Sequence, residues 1–182
     1  VKIIEIISKK CFLPLTVGGK ITNMSQAEML IRNGADKLVI NSSIYKNSQL
    51  IRMVTNLFGS QALVASIDYR IIEGKPILFV DNGSLNTKKN INNWIKYCED
   101  LGVGEFFLNS IDRDGTGKGF DIRTINQVSK ITELPIIACG GAGNEDHFYK
   151  AFKQTDISAL AAGNYFHFKE NAYPNLKKYL KT

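Results

Sequence analysis

Apolar positions fall into two alternating rhythms along these 182 residues. Short apolar runs occupy 13–17 (LPLTV), 37–41 (KLVIN), 62–67 (ALVASI), 105–111 (EFFLNSI), 135–139 (PIIAC) and 157–163 (ISALAAG). Runs of this length and composition predict buried strands. Between them the apolar residues recur at helical spacing, which predicts helices over 24–33, 46–58, 91–101, 121–131, 144–153 and 171–180. Asn23 and Ser25 are candidate N-caps, and Gly34 and Gly102 stand where C-capping glycines belong. Residues 1–7 (VKIIEII) read like the middle of an element. Strand–helix alternation of this kind predicts right-handed βαβ units and a parallel sheet.

One stretch departs from the alternation. Residues 69–81 (YRIIEGKPILFVD) alternate apolar and polar around Glu73-Gly74-Lys75, which predicts an inserted β-hairpin. The chain also echoes itself. Val17-Gly18-Gly19 ends one strand, and a helix and the strand before Asn41-Ser42 follow. Cys139-Gly140-Gly141 ends another, and a helix and the strand Ala159–Gly163 follow. Residues 66–68 and 110–112 both read Ser-Ile-Asp at the end of an apolar run. The fold expected is α/β, a (β/α)8 TIM barrel. Six of its units are legible, so the chain reads as one partial barrel domain over 1–182. It would be N-terminally truncated to about strands 3–8, with the hairpin after strand 5.

The bulk properties narrow the partners. No apolar run approaches the length of a membrane span, and no signal peptide is visible. Cys11, Cys98 and Cys139 have no metal or redox spacing, which fits free thiols in a reducing cytoplasm. Two histidines, His147 and His167, make a histidine-based zinc site a poor expectation. The net charge of +6 favours anionic partners. The lysines are scattered and no nucleic-acid motif accompanies them, so a small anion fits better than DNA or RNA.

Candidate chemistry gathers at the strand ends. Paired glycines there let a backbone approach a ligand closely and offer N–H groups to phosphate oxygens. Gly18-Gly19 and Gly140-Gly141 are such pairs, although tight βα turns alone also need glycine. Asp68, at an apolar strand's end, is a candidate general acid–base, since partial desolvation raises a carboxylate's pKa. Its alternative is a capping or salt-bridged aspartate. Asp112, beside Arg113, reads equally as a loop organiser. Asp114-Gly115 is a turn signal whose N–H groups could face a phosphate. Lys37 and Glu105 start their strands, which predicts a salt bridge at the opposite end of the sheet. Cys139 reads as a small buried residue without a histidine partner. Trp94 and Tyr97 read as core.

These residues resemble the cyclase subunit of imidazole glycerol phosphate synthase, the HisF family. The resemblance rests on Thr16–Gly19, Asn33–Lys37, Phe58–Gln61, Ser66–Asp68, Ser110–Thr116, Ile136–Gly143 and Phe166–Phe168, and it covers nearly the whole chain. It implies a lyase of histidine biosynthesis that pairs with a glutaminase (HisH-like) in a heterodimer. Ammonia from glutamine would convert a bis-phosphorylated aminoimidazole carboxamide ribonucleotide to imidazole glycerol phosphate and aminoimidazole carboxamide ribotide. No metal or redox cofactor is implied, and no nucleic acid or membrane.

By this resemblance, Asp68 matches one of two catalytic aspartates. Gly19, Asn41 and Ser42 match one phosphate site, and Asp114, Gly115, Gly141, Ala162 and Gly163 match the other. Lys37 and Glu105 match the ammonia entrance, and Asp36 and Gln61 match positions near the glutaminase. The other catalytic aspartate belongs to the family's first strand, so these residues alone are not expected to complete the reaction. Lys20 replaces the family's usual third glycine, and the last strand carries an extra residue near Gly163. Ala138-Cys139-Gly140-Gly141 and Leu108-Asn109-Ser110 resemble a HisF-like paralogue of surface-polysaccharide synthesis, which passes ammonia to a sugar amidotransferase, and those departures favour it. A non-catalytic glutaminase-activating subunit is a third expectation.

Overall fold

The structure, a computed structural model, describes residues 2–181; Val1 and Thr182 lie outside the described residues. In chain order the elements are α1 (Lys2–Lys10), β1 (Thr16–Gly18), α2 (Met24–Arg32), β2 (Lys37–Ile40), α3 (Ser42–Lys46) and α4 (Ser48–Phe58). Then come β3 (Leu63–Ile72), β4 (Lys75–Val80), β5 (Leu85–Asn90), α5 (Ile91–Asp100), β6 (Glu105–Ser110) and α6 (Ile122–Ser129). The chain closes with β7 (Ile136–Cys139), α7 (Glu145–Gln154), β8 (Ala159–Ala161), α8 (Asn164–Phe168) and α9 (Ala172–Leu180). All six anticipated strands form, in the sheet order β1-β2-β3-β6-β7-β8. The pairs β1/β2, β2/β3 and β7/β8 are parallel. Parallel neighbours joined through helices make this an α/β fold of the (β/α)8 barrel kind.

The residues divide into two compact units, 1–66 with 96–106, and 67–95 with 107–182. In the first, Leu38, Ile40, Leu63, Val64 and Ala65 are buried, as are Leu50, Ile51 and Val54 of α4. The helix read over 46–58 begins earlier and is broken at Asn47, whose side chain caps Leu50 N. Asn23 caps α2 by accepting from Gln26 N, so Ser25 is an interior helical residue. Gly34, at φ +104, follows the end of α2. Residues 2–10 form an amphipathic helix that leaves Ile3, Ile6 and Ile7 exposed. Tyr97, expected in the core, is 38% exposed, while Trp94 is buried. Tyr97 lies on the outer face of α5, whose buried positions are Ile91, Trp94, Ile95 and Cys98.

The second unit carries the insertion. β3 does not stop at Asp68 but runs on to Ile72, pairing antiparallel with β4 from Asp68↔Phe79 to Ile72↔Lys75. The turn falls at Glu73-Gly74, both with positive φ. A third strand, β5, was not anticipated; it pairs antiparallel with β4. Its sequence LNTKKN is nearly all polar and largely exposed, so backbone pairing rather than burial makes it a strand. The core of this unit includes Tyr69, Leu108, Ile125, Val128, Ala138, Phe148 and Ala151. Among the described residues, no helix is long and apolar enough to cross a membrane.

Candidate functional site

Strand alternation sorts the chemistry in each unit. Along β6 burial alternates, with Phe106, Leu108 and Ser110 buried and Glu105, Phe107 and Asn109 less so. Successive side chains face opposite sides of a strand, so Glu105, Phe107 and Asn109 share one face.

In the first unit, β1 and β2 pair in register, Gly18 opposite Val39. A Cβ on Gly18 would overlap Val39, both its side chain and its carbonyl oxygen. Packing alone therefore demands that glycine. Gly19 (φ +126) is different, because a Cβ there would meet nothing within 4 Å. Its backbone is open. Lys20 follows at φ +53, a left-handed conformation that glycine tolerates best. The Ser43 hydroxyl, buried, donates to the Ile21 carbonyl and ties this loop to the start of α3. Asn41 and Ser42 stand at that start, where no side chain caps the helix.

The predicted pair Lys37–Glu105 forms at 2.7 Å, Nζ to Oε2, with the Glu105 side chain only 14% exposed. Asp36 accepts from Leu15 N at 2.7 Å, and Gln61 Nε2 donates to the Phe58 carbonyl at 3.1 Å. Both side chains therefore make structural hydrogen bonds within this unit.

In the second unit a cavity of about 400 Å³ is lined by Asp114–Gly117, Cys139–Gly143, Ala162–Tyr165, Phe168 and Lys169. It brings together Asp114, Gly115, Gly141, Ala162 and Gly163, five positions singled out from three separate stretches of sequence. The reason is glycine-on-glycine packing. Gly119 N donates to the Gly141 carbonyl at 2.7 Å. A Cβ on Gly141 would overlap Gly119 O, and one on Gly143 would come within 2.6 Å of Gly117 O. Arg113 Nη1 closes the loop by donating to Gly119 O at 3.0 Å. The Asp-Gly-Thr loop and the Gly-Gly-Ala-Gly turn are thus complementary backbones.

Sequence reasoning missed Lys169, whose ammonium sits at the cavity wall, bonded to Glu145 at 2.5 Å and over the Tyr165 ring. The Glu145 hydrogen bond holds the Lys169 ammonium pKa above its ordinary range, keeping a cation beside the cavity. Nothing in the local sequence pairs two residues 24 apart; only the fold does.

Asp68 is partly buried, and its Oδ1 accepts from Asn109 Nδ2 at 3.2 Å. Asp112 is the loop organiser that its setting allowed, accepting from Ile71 N at 2.9 Å with Arg70 at 3.8 Å. Burial pushes the Cys139 thiol up to about 11, and the nearby carboxylates of Asp114 and Asp68 push the same way. A thiol so shifted is a poor nucleophile near neutrality. All three cysteines are free thiols. The cavity is therefore walled by backbone and by Lys169, and Asp68 stands apart from its lining, on β3.

Comparison with known proteins identifies the family. The family model described as "Histidine biosynthesis protein" matches residues 1–172. The chain is 43% identical over 176 residues to the imidazole glycerol phosphate synthase subunit HisF of Hydrogenobaculum sp. (strain Y04AAS1), covering 96% of this chain and 70% of that one. It is 40% identical over 176 residues to the HisF subunit of Clostridium botulinum (strain Okra / Type B1), with the same shares covered. It is 39% identical over 183 residues to that of Bacillus cereus (strain ATCC 10987 / NRS 248), covering all of this chain and 73% of the relative. A match of this length places the chain in the histidine biosynthesis protein family, among the HisF subunits of imidazole glycerol phosphate synthase.

Proposed function

We propose that this chain does the cyclase work of imidazole glycerol phosphate synthase. Ammonia released by a glutaminase subunit reacts with the bis-phosphorylated aminoimidazole carboxamide ribonucleotide, and the products are imidazole glycerol phosphate and aminoimidazole carboxamide ribotide. The observation that carries the reading is the convergence of Asp114, Gly115, Gly141, Ala162 and Gly163 on one cavity with Lys169 at its wall. Phosphate fits backbone N–H groups and a lysine ammonium there. The other phosphate falls to Gly19, Asn41 and Ser42, where the open backbone of Gly19 leaves room for an oxygen.

Asp68 acts as general acid–base during ring closure, moving protons to and from nitrogen. The Lys37–Glu105 pair guards the ammonia entrance, and Asp36 and Gln61 lie at the glutaminase interface. The protein's setting is the cytoplasm, with no cofactor required.

The test is turnover of the protein with saturating ammonium and the ribonucleotide, followed by loss of substrate absorbance. Asp68→Asn should lower kcat by about 100-fold or more at nearly unchanged substrate KM. Retention of wild-type kcat in that variant would refute the role of Asp68. Lys20, in a left-handed conformation where the family carries glycine, favours a second reading, the ammonia-conducting partner of a sugar amidotransferase. A folded wild-type protein that stimulates its glutaminase but forms no imidazole product would select it.

A further inference from the structure

Asn109 is a residue to which neither the motifs nor the resemblance gives a role. Its amide nitrogen donates to Asp68 Oδ1 at 3.2 Å. A carboxylate only accepts hydrogen bonds, so the nitrogen faces Asp68 and the amide oxygen faces away. That oxygen is buried, yet it has no hydrogen-bond partner among the described residues. Buried amide oxygens are nearly always paired, because stripping one of water without replacement is costly. A protein that keeps one open beside a candidate acid–base is holding an acceptor for something that arrives.

The surroundings say what. The open oxygen is an acceptor, and the carboxylate bonded to the same amide is another. The donors that such an oxygen accepts from are N–H or O–H groups. A small molecule rich in N–H supplies them.

We propose that Asn109 is the positioning residue of Asp68, and that its open Oδ1 receives an N–H of the incoming ammonia. The amide would then bridge the two partners, one end fixing the carboxylate and the other holding the nitrogen that it serves. This inference rests on the cyclase reading for the identity of the ligand.

The test uses the wild-type protein and two variants. Asn109→Leu removes both bonds at similar volume. With the ribonucleotide saturating, its kcat/KM for ammonium should fall about 10–100-fold, while KM for the ribonucleotide stays within about twofold. Asn109→Thr keeps a hydroxyl that can donate and accept, and it should recover part of the loss. If the leucine variant fails to fold, the threonine variant carries the same comparison. Folded variants with unchanged ammonium dependence, or with equal losses for both substrates, overturn the proposal.

A second readout is independent of turnover. The Asn109 side-chain amide signal in ¹⁵N NMR, assigned by its loss in Asn109→Leu, should move on addition of ammonium chloride but not of sodium chloride. If wild-type protein makes no imidazole product yet this signal moves, the cyclase reading fails and the ammonia contact stands. If the signal stays still, the contact fails whatever the turnover.

Discussion

The segment β1–α2–β2–α3 and the segment β7–α7–β8–α8 are built alike and finished differently. Each begins with a short strand ending in Gly-Gly. Each continues into a helix capped by asparagine, Asn23 accepting from Gln26 N and Asn144 from His147 N. Each returns to a parallel strand three residues in register, then to a helix of five residues. In both, the first glycine is locked by a neighbouring strand: Gly18 by Val39 and Gly140 by Ser110 O. The second glycine separates them. Gly141 is roofed by the 111–120 loop, which bonds to its carbonyl, whereas Gly19 faces open space. One repeat is therefore a cradle closed by a partner loop from its own unit. The other shows no such roof, and its turn ends in Lys20 rather than a glycine. Shared ancestry of pattern does not give shared depth of site; the loop that follows β6 does.

That contrast can be broken by substitution. The largest effect should come from Gly141→Ala, where the new methyl overlaps the Gly119 carbonyl and φ is +101. Backbone cannot yield as a side-chain tip can, so we expect a loss of about 3 kcal/mol or more, read from urea unfolding. Affinity for inorganic phosphate at the cavity should fall with it. Gly19→Ala should cost only the strain of its positive φ, about 1–2 kcal/mol, because no atom lies within 4 Å. If both variants lose equally, the roof over Gly141 is not what distinguishes the repeats. The smallest effect should be a gain. Lys20→Gly relieves a left-handed lysine at φ +53. It should stabilise by about 0.5–1 kcal/mol once the greater freedom of unfolded glycine is subtracted. Thermal unfolding would register that as a rise of about 1–4 °C. No rise would mean that the Lys20 side chain makes compensating contacts.

The strands and most helices were legible because their apolar periods were unbroken. Elements that rest on backbone pairing were not. β5, with the sequence LNTKKN, has almost no apolar signal and forms by laddering onto β4. The same extension carried β3 past Asp68, which converts an anticipated strand end into the point where parallel neighbours give way to an antiparallel one. Tyr97 was misplaced because an aromatic on an amphipathic helix can lie at the edge of the buried stripe, and its phenol is half in water.

The site divides in the same way. Asp68, Asp114, Gly115 and the Gly-Gly pairs could be chosen from the sequence because each stands at a strand end or in a turn with a known chemical use. Asn109 could have been placed on the Asp68 face by alternation along β6, but nothing local says that its amide nitrogen is the bond that Asp68 accepts. Lys169 and Glu145 meet across 24 residues. The order of elements, the faces of the strands and the positions of the glycines are written in short-range patterns, because periodicity and φ preference are local properties. Which glycine is roofed, which carboxylate gains a donor and which amide oxygen is left open depend on contacts between residues far apart in the chain. Those were decided only when the backbones closed on one another.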